Sequence, residues 1–176
     1  MRFEDAVEVI LDIEGGLANR PRRDDPGGLT NWGISLAAFP ELGEDGIRQL
    51  TRDGAKTLYL EHYWKPSKSE SMPCYLRLSL FDFAIHAGPR EAAKQLQECL
   101  NRHGWKLKVD GIIGPRTLKA VNSTAMTNLV VAFQRERQIF VRSLKNYEAN
   151  ANGWESRILR VIVETFCLYR EGESAC

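Results

Sequence analysis

The segment Cys74–Ala87, reading CYLRLSLFDFAIHA, constrains the fold more than any other stretch. Leu76, Leu78, Leu80, Phe81, Phe83, Ala84 and Ile85 leave it little polar face at helical spacing. A helix that is apolar all round is stable in water only when neighbours cover most of its sides. Pro73 opens the segment and Gly88-Pro89 stops it. Other helices must therefore pack around a central one.

The chain supplies them. Phe3, Val7, Ile10 and Glu14 recur at helical spacing, flanked by Ala6 and Ile13. Further helices are expected over about 44–50, 53–63, 90–101, 116–121, 128–144 and 154–169, with a turn at 150–153. Residues 17–34 read as irregular or as a short hairpin, in which Leu29, Thr30, Trp32 and Ile34 could alternate along a strand. The expected architecture is mainly α, with at most a small β-hairpin near the N-terminus. A length of 176 residues allows one domain or two small lobes.

Charge narrows the function classes a little. The formal net charge is +1, divided as −4 over residues 1–70 and +5 over residues 71–176. A solvated helical surface accounts for this, and an anionic cell-wall polymer is the functional reading. Arg20, Arg22 and Arg23 cluster, but no nucleic-acid recognition motif accompanies them. The four cysteines, Cys74, Cys99, Cys167 and Cys176, form no C-x-x-C pair, and no histidine stands at zinc spacing. Cys99 and Cys167 fall on apolar helical faces and are expected as reduced, buried thiols. No metal or organic cofactor is implied. The N-terminus is amphipathic and acidic, unlike a signal peptide, and no run is long enough to span a membrane. Synthesis in the cytoplasm is expected, with no stable membrane association.

The chemistry concentrates between Glu14 and Ile34. Glu14 shares the apolar face of the first helix, and Gly15-Gly16 ends that helix immediately after it. Desolvation of a carboxyl on such a face raises its pKa, which suits a general acid. A loop rich in Pro, Arg and Asp follows, then Thr30 and Trp32. Glycosidic cleavage needs a proton donor on one side of the bond and a group that positions water or stabilises positive charge on the other. Asp25 and Thr30 are candidates for that second side. Trp32, Tyr63, Trp64, Trp105 and Trp154 are candidate sugar platforms, with Trp32 foremost because it lies inside the catalytic stretch.

The order Glu14, Asp25, Thr30 resembles the Glu/Asp/Thr constellation of phage T4-type lysozymes. The match is closer to glycoside hydrolase family 108, whose pattern of Glu-Gly-Gly followed by Pro-x-Asp-Pro-Gly-Gly-x-Thr-x-x-Gly-Ile stands here as Glu14-Gly15-Gly16 and Asp24-Asp25-Pro26-Gly27-Gly28-Leu29-Thr30-Asn31-Trp32-Gly33-Ile34. Arg23 replaces the family's Pro two residues before Asp25, which changes the expected loop shape and makes Asp24 a candidate to share or take the role of Asp25. Phe81 to Gly88 resembles the family's Phe-Asp-x-Ala-x-Asn-x-Gly element, with His86 in place of Asn, at the cleft wall. Asp82 within it is expected to be buried and hydrogen-bonded, since an unpaired buried carboxylate is costly.

Asp110 to Val121 is similar to the D-G-x-x-G-x-x-T-x-x-A-V loop-helix of peptidoglycan-binding modules, and Gly153-Trp154 with Arg157 to a Gly-Trp-x-x-Arg element of the family. The resemblance implies a lysozyme-like catalytic lobe over residues 1–88 and a peptidoglycan-binding-like helical lobe over residues 89–176, closely packed. It implies an N-acetylmuramidase cleaving the β-1,4 bond between N-acetylmuramic acid and N-acetylglucosamine. Glu14, Asp25 and Thr30 would be catalytic, and Trp32, Asp24, His86 and Tyr63 would contact substrate. The implied partner is bacterial peptidoglycan, met by a monomer after holin-dependent release if the chain is phage-encoded. The alternatives are a lytic transglycosylase and a non-catalytic wall-binding or secretion-assisting protein.

Overall fold

A computed structural model describes residues 1–19 and 28–171. The chain runs α1 (Phe3–Glu14), β1 (Ala18–Asn19), β2 (Leu29–Asn31), β3 (Ile34–Ser35), α2 (Gly43–Gln49), α3 (Arg52–Tyr59), α4 (Cys74–Ala87), α5 (Pro89–Arg102), α6 (Pro115–Asn122), α7 (Met126–Arg142) and α8 (Tyr147–Glu171). It is mainly α, as expected. Among the described residues, no helix is long and apolar enough to cross a membrane.

The all-round apolarity of α4 has a simple cause: the helix serves two cores. Cys74, Leu78 and Phe81 join Val7 and Ile10 of α1, Ile47 of α2, Tyr59 of α3 and Trp64 in the first. Leu76, Leu80, Phe83 and Ala84 join Leu96 and Leu100 of α5, Val121 of α6, and Leu129 and Phe133 of α7 in the second. Each such Leu or Phe contributes roughly 1.5–3 kcal/mol of burial. Trp64, a candidate sugar platform, is only 2% exposed and belongs to the first core. Its indole N–H donates to Glu70 Oε2 at 3.0 Å.

Three local expectations are corrected. The turn expected at residues 150–153 is absent, because α8 runs unbroken through Gly153. A single interior Gly costs only about 1 kcal/mol relative to Ala, and burial of Ile158, Val161 and Thr165 anchors the helix beyond it. The helix expected over 53–63 changes pitch at Leu60–Trp64, a π-helical turn in which the Lys65 amide donates to the Leu60 carbonyl at 3.0 Å. Cys99 is buried and free as expected, whereas the free Cys167 is exposed on α8.

The sheet is antiparallel in the order β1-β2-β3. Asn31 pairs with Ile34, so Trp32-Gly33 is a two-residue turn rather than part of a strand. Its φ values are +52° at Trp32 and +77° at Gly33, the signature of a type I′ hairpin. Asn31 holds this turn against α2: its buried amide donates to the carbonyls of Ile47 at 3.0 Å and Leu50 at 3.2 Å.

Candidate active site

Glu14 ends α1, where the Gly15 amide closes the helix on the Leu11 carbonyl at 3.2 Å. Ala6, Val7, Ile10 and Leu11 are buried behind it, so the last turn of an amphipathic helix carries Glu14 to the edge of the core. Its side chain is 19% exposed. Arg52 and Lys56 of α3 pair with Glu8 of α1, Lys56 at 2.6 Å, and fix the approach of these two helices.

The hairpin turn closes on Glu14 from another side. A Cβ built on Gly33 would collide with the Tyr59 hydroxyl and lie 2.6 Å from Glu14 Cγ. Gly33 is therefore required twice, for its positive φ and for the absence of a side chain. The Tyr59 hydroxyl donates to the Trp32 carbonyl at 2.9 Å, and the Trp32 indole N–H donates to the Leu50 carbonyl at 3.2 Å. These bonds hold a tryptophan at φ +52°, a conformation that costs on the order of 1–3 kcal/mol in a non-glycine residue. The Arg52 guanidinium lies 5.6 Å from the centre of the Trp32 ring.

Gly33→Ala is expected to displace Glu14 and lower kcat by about 10²-fold, the effect of misplacing a reacting group by about 1 Å. Steady-state kinetics on purified peptidoglycan check this, with circular dichroism to confirm the fold. Wild-type kcat in the alanine variant would show that Glu14 does not need the Gly33 backbone.

Tyr59 and Tyr63 both answer to Glu14. Burial, then the Glu14 charge, pushes the Tyr59 phenol well above its usual range and raises Tyr63 in the same way. The Tyr63 ring also packs edge-on against Phe39 at 6.4 Å. Thr30 sits on β2 between Ala18 and Ser35, and its hydroxyl donates to the Gly28 carbonyl at 3.3 Å. Asp24, Asp25 and the Arg20, Arg22, Arg23 cluster lie outside the described residues.

The partner that sequence reasoning did not assign to Glu14 comes from α8. Arg157 Nη1 lies 2.6 Å from Glu14 Oε1. The same guanidinium grips Asp82 Oδ1 through Nε at 2.9 Å and Nη2 at 2.8 Å. Asp82 is fully buried, and its other oxygen pairs with Arg137, itself almost fully buried. Four charges thus form one chain: Arg137, Asp82, Arg157, Glu14. Burial works against the Arg157 cation, but Asp82 and Glu14 outweigh it and hold the group firmly protonated. Burial likewise raises the Asp82 carboxyl, and the two arginines outweigh it and bring it below its ordinary value. The signal that could have found the Glu14 contact was the Gly-Trp-x-x-Arg element.

His86, near the end of α4, packs its ring 5.1 Å from that of Trp154 on α8. Burial, then the charges of Arg137 and Arg157, pushes its imidazole down to about 4. An unfolded histidine binds its proton near pH 6.5. The stability that neutral His86 contributes is therefore complete above about pH 6.5 and is lost as pH falls towards about 4. The whole window is worth up to about 3 kcal/mol. Urea denaturation across this range should show a shallower pH slope for His86→Gln than for wild type. Parallel slopes would remove His86 from the acid response.

Comparison with known proteins places this geometry. The glycosyl hydrolase 108 family model matches residues 7–88, and a predicted peptidoglycan domain matches residues 91–159. Glu14, Gly33, Tyr59 and Asp82 fall in the first segment and Arg157 in the second. No curated protein matches the chain. Among solved structures, that of Brucella abortus SagA is similar with a TM-score of 0.84 at 30% identity, covering 94% of this chain and 94% of that chain. A carboxylic acid at a helix end, closed in by a hairpin and gripped by an arginine, thus sits in a glycoside hydrolase that acts on peptidoglycan, and the chain belongs to the glycosyl hydrolase 108 family.

Proposed function

We propose that this protein is an N-acetylmuramidase that hydrolyses the β-1,4 bond between N-acetylmuramic acid and N-acetylglucosamine, with Glu14 as general acid. The observation that carries the reading is the setting of Glu14: a carboxyl 19% exposed, packed against the Gly33 backbone and held by Arg157. Such a group has a fixed direction and an open edge for a glycosidic oxygen. Glu14 gives its proton to that oxygen as the bond breaks. Asp25 and Thr30 orient water or stabilise the positive charge that develops on the sugar. Trp32 and Tyr63 contact the sugar rings, with Asp24 and His86 as further contacts. The catalytic lobe ends near Gly88 and the wall-binding lobe follows. The protein acts as a monomer on the cell wall, reaching it through a holin where it is phage-encoded.

Mass spectrometry of fragments released from purified peptidoglycan tests the reaction. Hydrolysis yields reducing muramic acid ends, the expected result. Anhydro-muramic ends would replace hydrolysis by transglycosylation at the same site. Wall binding without released fragments would leave a non-catalytic binding protein.

A further inference from the structure

Two adjoining cavities, of about 310 and 290 Å³, lie along residues 105–119 and share Leu107 and Arg116 in their walls. The segment that forms them, between α5 and α6, has no regular secondary structure, yet α5 holds it at both ends. The Asn101 amide donates to the Leu107 carbonyl at 2.9 Å and accepts from the Leu107 amide at 2.6 Å. Gln97, 2% exposed, accepts from the amides of Asp110 at 3.1 Å and Gly111 at 2.9 Å and donates to the Ile112 carbonyl at 3.0 Å. Gly111 is so close to α5 that a Cβ there would lie 2.7 Å from the Arg90 carbonyl oxygen. An irregular wall tied down in this way is preorganised, and a preorganised site loses less on binding.

Its charge is one-sided. Lys106, Lys108, Arg116 and Lys119 line the two cavities, and Asp110 is the acidic group in their walls. Asp110 is already engaged: one carboxylate oxygen accepts from Gln97 at 3.1 Å and from the Ile112 amide at 3.0 Å. Among the described residues, the wall of the smaller cavity has three cations and no carboxylate, with Trp105 and Leu107 beside them. Ile112, in the wall of the larger cavity, is 67% exposed. The ligand that fits is an anion with apolar flanks.

The glycan of peptidoglycan carries no carboxylates in its amidated form, whereas its peptide stems carry several beside alkyl side chains. We propose that these cavities bind the carboxylates of the peptide stem, so that the C-terminal part of the chain reads peptide while Glu14 acts on sugar. This rests on the peptidoglycan reading above.

The test uses the full chain carrying Glu14→Gln, so that the wall survives the assay. Binding is measured to insoluble peptidoglycan with its stems intact and to the same material stripped of stems by an amidase, the lactyl carboxylates that this frees then being capped as methylamides. Stripping should weaken binding about 10-fold, an electrostatic gain of a size that added salt erodes. Lys106→Gln with Lys119→Gln, both exposed positions, should weaken binding to intact wall by a similar factor and leave binding to stripped glycan unchanged. A soluble muramyl tetrapeptide should compete. Equal affinity for intact and stripped wall would overturn the proposal. So would competition by a phosphate polymer but not by the muramyl peptide. Cleavage of stem-free glycan by the wild-type chain reports the Glu14 reading by itself, so the two can fail separately.

Discussion

Glu14→Gln is expected to lower peptidoglycan turnover by about 10³-fold while leaving KM and the fold nearly unchanged, within the 10²–10⁴-fold range of a general acid's contribution. Glutamine has the shape of glutamate, so the close packing of Gly33 and Tyr59 is kept. Its carbonyl oxygen still accepts from Arg157, which remains paired with Asp82. What it lacks is an acidic proton for the leaving oxygen. Stability should therefore stay within about 1 kcal/mol of wild type, the range of a partly exposed ion pair. The rate of reducing-end release and the urea midpoint, measured together, separate loss of chemistry from loss of structure. A variant that keeps more than about a tenth of the rate would take the general acid away from Glu14.

The second large effect falls on stability. Asp82→Asn should destabilise the protein by about 3–5 kcal/mol, the cost of leaving a buried partner uncompensated. Asp82 is the anion between Arg137 and Arg157, and both Asp82 and Arg137 are cut off from water. Without it the Arg137 cation is stranded beside the Phe83 ring, 5.6 Å from its centre. A loss of this size is a large part of the 5–15 kcal/mol by which domains are usually stable. The double variant Asp82→Asn/Arg137→Met should recover much of the loss, because removing both charges removes the desolvation cost of each. Urea denaturation of the two variants decides the matter. A single variant within about 1 kcal/mol of wild type would mean that water or a shifted side chain replaces the anion. Activity should fall as well, since Arg157 loses the partner that aims it at Glu14.

Much of this molecule was legible locally. The bounds of α4 follow from Pro73, Gly88 and an apolar run, and its buried Asp82 follows from the same helix. The place of Glu14 follows from the spacing of Phe3, Val7 and Ile10 and from the Gly15-Gly16 stop. Two local signals misled. Gly153 looked like punctuation, but a long helix with buried residues beyond the glycine absorbs its small cost. Trp32 looked like a strand residue because bulky aromatics are rare at positive φ, and only its bonds to Tyr59 and Leu50 make the turn conformation hold.

The sequence by itself determined most of the helices, the ends of α1 and α4, the family pattern and the presence of a glutamate at a helix terminus. These depend on the period of apolar residues and on glycine and proline stops, which act over a few residues. Only the tertiary structure decided what surrounds that glutamate. Arg157 reaches Glu14 because α8 packs across α4, and Gly33 meets it because Asn31 pins the hairpin to the end of α2. Such contacts join residues far apart in the chain, and no local preference encodes them. They are set by which buried faces fit together, and the charges that those faces carry are then held at distances that the sequence does not state.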